Sequence, residues 1–61
     1  MNANRKYSDF MRQVKLRIAC RNAEAYWIIS KNEMIAGNNA ASKVYAKMAK
    51  HQENLAKQYE I

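Results

Sequence analysis

Cys20 and His51 are the two side chains of this 61-residue chain with the chemistry of a soft nucleophile and of a base near neutral pH. His51 has Asn54 and Leu55 at the i+3 and i+4 positions, so no carboxylate stands where a helix would orient its imidazole. It is read as a seam-edge or surface residue. Cys20 sits near Arg17 and Arg21, and positive neighbours favour thiolate chemistry. It also falls in a row with Leu16, Ala23 and Trp27 at helical spacing, which predicts a small buried hydrophobe. If that row met a second copy, oxidation would link Cys20 to its mate as an artefact of handling. One cysteine cannot form an internal disulfide, and one histidine with one cysteine cannot build a zinc cage. A lone thiol suits a reducing compartment. With Gly37 the only glycine, there is no glycine-rich phosphate loop. No enzymatic activity, metal or cofactor is expected.

The basic residues offer a different chemistry. Eleven Lys+Arg against five Asp+Glu give a net charge of +6, and the excess is lopsided. Residues 1–21 hold Arg5, Lys6, Arg12, Lys15, Arg17 and Arg21 against Asp9 alone, whereas residues 22–61 hold five basic and four acidic groups. Tyr7 and Phe10 are interleaved with the first cluster. Arginine with aromatics can clamp phosphates and stack on unpaired bases. The same residues suit a basic segment on an anionic membrane, or one gripping an acidic protein. A second set, Lys43, Lys47, Lys50 and Lys57 with Asn54 in the gap, forms a stripe fit to track a phosphate backbone. Glu53 and Glu60 border it, and the competing reading is the solvated back of an amphipathic helix.

Helices must position these groups. The chain has no proline, and "MIAGNNAAS" places Gly37 where a left-handed residue stops one helix, with Asn38 or Asn39 able to cap the next. Ser8 followed by Asp9 reads as an N-cap with a first-turn carboxylate. The expected layout is a basic N-terminal arm at 1–7, helix one at 8–36, a turn at 37–39 and helix two at 40–59. Apolar alternation of the β type is absent, so the fold class is all-α, an antiparallel helical hairpin.

Helix one carries more apolar surface than a hairpin uses. Tyr7, Phe10, Met11, Val14, Ile18, Ala25, Ile28, Ile29 and Ala36 share one broad face. That face is expected to close on Ala41, Val44, Tyr45, Met48, Leu55 and Tyr59 of helix two. Leu16, Cys20, Ala23, Trp27 and Met34 then remain as a second seam, continued through Ser30. An exposed seam of this kind marks a protein contact, and a chain this short has a marginal core of its own. A homodimer closing a four-helix bundle is therefore expected, with Leu16, Cys20, Ala23, Trp27 and Met34 as its interface. Which seam folds the chain and which recruits a partner is left open by the spacing. Folding back from Gly37, helix two is expected to run out near residue 16, leaving Phe10, Met11 and Val14 overhanging.

A helix-turn-helix DNA reader is disfavoured, because helix one is too long and both helices are amphipathic along their length. In outline the chain resembles the Rop family of plasmid RNA-binding proteins: about sixty residues, two helices, one turn and a dimeric bundle. That resemblance implies RNA binding through one bundle face and carries no residue over. The size and basic start, "MNANRKYSDFMRQVKLRIACR", also resemble the small early-region accessory proteins of lambdoid bacteriophages. This implies binding of host or phage components in the bacterial cytoplasm. No signal peptide and no membrane span are expected, since the longest apolar run, "AYWII", is five residues. The leading functional expectation is a non-enzymatic interaction protein that binds another protein; the alternative is a basic RNA- or DNA-binding dimer.

Overall fold

With no proline and a single glycine, the chain can be interrupted at one place only, and it folds once, there. The computed structural model describes residues 2–60, and the side chains of residues 8–60. Helix α1 spans Asn2–Ile35 and helix α2 spans Asn39–Tyr59. No strand occurs among the described residues. Helix α1 begins six residues before the expected cap: Ser8 lies inside the helix, because nothing in residues 2–7 breaks it. The expected separate arm at 1–7 is therefore helical from Asn2 onward.

The turn is a Schellman motif. Gly37 has φ +86°, its N–H bonds the carbonyl of Met34 at 3.1 Å, and the N–H of Asn38 bonds that of Glu33 at 2.8 Å. Asn38 does not cap α2 with its side chain; it donates to the Glu33 carboxylate at 2.8 Å. Its own carbonyl accepts the N–H of Ser42 at 2.9 Å, which starts α2.

The helices pack antiparallel over a strip of small side chains. Ala19, Ala23 and Ser30 of α1 are buried against Ser42, Ala49 and Ala56 of α2, and Ala49 is fully enclosed. On α1 the residues turned inward run 12, 16, 19, 23, 26, 30 and 33, alternating steps of four and three. On α2 the buried positions recur every seven residues. This heptad rhythm is the signature of left-handed supercoiling, and small residues at the contact set a short interaxial distance. The backbones come close enough for the buried Ser30 hydroxyl to donate to the Ser42 carbonyl at 2.7 Å, with the two hydroxyls 3.1 Å apart. Tyr26 stacks on Tyr45, with ring centroids 6.3 Å apart.

The far end is fastened by charge. Arg12 Nη1 donates to the carbonyl of Tyr59 at 2.8 Å, placing a cation at the C-terminus of α2, where the helix dipole favours it by about 1 kcal/mol. Asp9 lies 3.8 Å from the same guanidinium. Because the tight turn starts α2 about one turn below the end of α1, α2 reaches Arg12 and not only residue 16. The overhang is therefore residues 2–11, which leaves Phe10 and Met11 in it and takes Val14 out of it.

The broad apolar face closes the hairpin only in part: Met11 and Val14 of α1 and Ala41, Tyr45, Leu55 and Tyr59 of α2 are half-buried, and the rest turns outward. Phe10 is 61% exposed, Ile18 52%, Ile28 54% and Val44 55%, while Ile29 and Met48 are also exposed. Large side chains on both facing surfaces would hold the backbones apart; the alanine–serine strip lets them approach and pairs the serines. Leu16, Ala23 and Ser30, placed by spacing in the second seam, belong to this strip instead.

Gly37 has open space where a Cβ would sit, so Gly37→Ala strains only the backbone. We expect a loss of about 1–2 kcal/mol, the cost of a left-handed alanine, seen as a lower thermal midpoint with the helical signal retained. An unchanged midpoint would contradict the turn as described.

Candidate interaction surfaces

Helical spacing divides the outside of the hairpin into two flanks, one on each side of the seam. The first contains Cys20, Trp27 and Met34, one column of α1 repeating every seven residues beside the buried strip. Met34 is 62% exposed and Trp27 38%. Trp27 is held by its own edge: the indole N–H donates to Glu53 Oε2 at 2.9 Å across the two helices. An open cleft of about 800 Å³ lies here, with Cys20, Trp27, Ile28 and Ala56 as its apolar surface. Glu24, Glu53, Glu60, Lys31 and Lys57 surround it. Three of the chain's five acidic residues thus stand on this flank.

The opposite flank is built from both helices and has fewer charges, two lysines and no carboxylate in its grooves. Ile18 and Leu55 line one groove with Lys15 and Tyr59, and Tyr26 and Met48 line a second with Lys47 and His51. Ile29 follows one turn after Tyr26, and Val44 precedes Met48 by one turn, so both extend the same surface. No carboxylate lines either groove. His51 is a surface residue here, with Asn54 and Leu55 one turn on.

The residues singled out by sequence are distributed between these surfaces and the seam. Ala23 is buried within the hairpin and Leu16 is half-buried there, while Cys20, Trp27 and Met34 face outward. Cys20 is an exposed free thiol, not the enclosed hydrophobe that its row predicted, because the column it occupies lies one step outside the strip. The basic groups are not brought into one patch. Arg5 and Lys6 lie outside the residues whose side chains are described. Arg12 is committed to Tyr59; Lys15 borders Leu55; Arg17 and Arg21 border Val14 and Ile18 on α1. Lys43, Lys50 and Lys57 form an exposed edge of α2 at seven-residue intervals, with Lys47 beside it. Arg12–Asp9 is the one ion pair among the described residues, so that lysine edge is unpaired.

Comparison with protein-family models, with curated proteins and with solved structures gives no match, and the surfaces are therefore read from this chain's own residues. Among the described residues no group of three potential metal-ligating side chains comes together, and no helix is long and apolar enough to cross a membrane. Sequence reasoning missed the Trp27–Glu53 bond, the serine pair and the arginine clasp. The first two had a signal in the small residues at 42, 49 and 56, which fix the register that brings those partners together.

Cys20 stands exposed beside Trp27. A thiol reagent should therefore modify the folded protein stoichiometrically and within a few-fold of its rate on the unfolded chain. Strong protection of Cys20 at concentrations where the helices are formed would show this flank to be covered.

Proposed function

We propose that this chain is a non-enzymatic interaction module: a helical hairpin that pairs into a dimeric four-helix bundle and acts by binding another protein. One observation carries the reading. Among the described residues only alanine and serine are fully buried; Leu16, Tyr26, Tyr45 and Leu55 are half-buried, and nine large hydrophobic side chains, Trp27, Ile28 and Met34 among them, stay exposed. A buried methyl-sized group contributes only about 0.8 kcal/mol, against roughly 1.5–3 kcal/mol for a fully buried Leu or Phe, so this seam is a weak core. Exposed apolar surface on that scale is the mark of a contact surface. The cleft beside Trp27 fits an amphipathic partner helix: an aromatic and aliphatic floor for apolar anchors and mixed charges at the rim for orientation. The setting we propose is that of a small phage-type accessory protein, acting on a host or phage protein in the bacterial cytoplasm.

The second reading, nucleic-acid binding, is favoured by the unpaired edge of Lys43, Lys50 and Lys57. It requires affinity to fall steeply with salt, by about 10³-fold or more between 50 and 200 mM for a site of six or more phosphate contacts.

A photo-crosslinking residue at position 28, beside the cleft, separates the two when compared with one at position 54 on the other side of α2. The proposal expects a discrete adduct with one other protein from position 28, absent from position 54 and lost on Trp27→Glu. It also expects RNA and DNA binding to be weak at physiological salt. Equal adducts from both positions would contradict it. Tight, salt-sensitive binding to a stem-loop RNA or duplex DNA, weakened by replacing the three lysines with alanine, would establish the second reading in its place.

A further inference from the structure

The two flanks differ in chemistry, and that difference assigns them different occupants. We infer that the flank without carboxylates, Ile18, Ile29, Val44, Met48 and Leu55, is where a second copy of this chain docks, and that the Trp27 flank stays on the outside of the dimer. This inference rests on the dimeric reading above and goes further by naming the face.

Area is the first argument. A compact protein of 7.1 kDa is expected to expose about 4,100 Å², whereas this hairpin exposes 5139 Å². The surplus of roughly 1,000 Å² is comparable with the ~800 Å² that each partner of a standard interface buries. Much of it follows from shape, since the molecule is a rod of 54 × 13 × 12 Å. Pairing two such rods along their length is the closure that removes the most surface.

Charge is the second. Permanent self-association favours apolar surfaces depleted in charge, whereas contacts with changing partners are more polar. The Ile18–Met48 flank has no carboxylate in its grooves and two lysines, Lys15 and Lys47, with His51. The Trp27 flank sets five charged groups around its cleft. Two copies of the first can meet without burying any carboxylate; two copies of the second would have to bury Glu24, Glu53 and Glu60 of each copy along with Lys31 and Lys57.

Register is the third. Ser30 beside Ser42, Tyr26 beside Tyr45 and Arg12 beside Tyr59 fix the level of every residue along the rod. Ile29 and Val44 then stand near one level, Ile18 and Leu55 near another, and Met48 between them, close to Ala25. A two-fold axis near Met48 and Ala25 brings the Ile29–Val44 end of one copy onto the Ile18–Leu55 end of the other, branched side chains against branched side chains. The same operation carries the turn end of each copy alongside Met11, covering part of the overhang that α2 leaves bare.

Sedimentation equilibrium on three proteins, with a crosslinking readout, tests this. The unmodified chain should sediment at twice the mass of one chain. Ile18→Glu with Met48→Glu should abolish the dimer, while Trp27→Glu with Met34→Glu should leave it intact. Because the first pair also risks unfolding, a single cysteine is moved: in Cys20→Ser with Ala25→Cys, mild oxidation should link the two copies rapidly, whereas the native Cys20 should link slowly. A dimeric protein in which residue 25 does not link, or in which the Trp27 pair of substitutions breaks the dimer, overturns the assignment of the face while leaving the dimer. An unmodified chain that stays monomeric and folded overturns the dimeric reading itself.

Discussion

The close approach of two helix backbones over Ala19, Ala23 and Ser30 on one side and Ser42, Ala49 and Ala56 on the other is the constraint from which the rest of this structure follows. Side-chain size at a helix contact sets the distance between axes. A strip of methyl and hydroxymethyl groups permits a short one, which in turn allows the serine hydrogen bonds, the tyrosine stack and the reach of Arg12 to the last carbonyl of α2. The strip is narrow, so the large side chains have no room in it. They are displaced to both flanks of the hairpin and become available to other chains.

That displacement joins folding to function. A seam of alanines contributes little burial, which makes the single hairpin a weak unit, and the surface that would normally stabilise it is turned outward. One flank combines isoleucine, valine, methionine and leucine from both helices with two lysines and no carboxylate. The other sets a tryptophan, pinned by Glu53, in a cleft among glutamates and lysines. We propose that surfaces so different serve different partners, one permanent and one exchangeable. The lone cysteine and histidine both fall on the exterior, Cys20 with Arg17 and Arg21 about it and His51 beside Met48.

Much of the fold was legible. Gly37, the one residue able to take a left-handed conformation without strain, placed the turn, and the absence of proline left two helices as the only arrangement. The surplus of apolar residues on α1 was equally plain. What periodicity misjudged was which stripe faces inward. Counting large hydrophobes favoured the Phe10–Ile29 face, yet helix pairs with steps of four and three select for fit, and the smallest residues won. Ala49 and Ala56 carry little weight in a hydrophobic count and most of the weight in the contact. The start of α1 was misplaced because Ser8 and Asp9 form a good cap only where the preceding residues leave the helix. Arg12 read as a free cation because its partner is a backbone carbonyl far away in sequence, which no spacing rule detects.

A hairpin that is incomplete alone is stabilised by pairing, and association with the folded state raises the unfolding midpoint by mass action. Thermal unfolding followed by helical circular dichroism, over about a hundredfold range of protein concentration, should then give a midpoint that climbs steadily with concentration. A midpoint independent of concentration, in a protein that sediments as a 7.1 kDa monomer throughout, would contradict it.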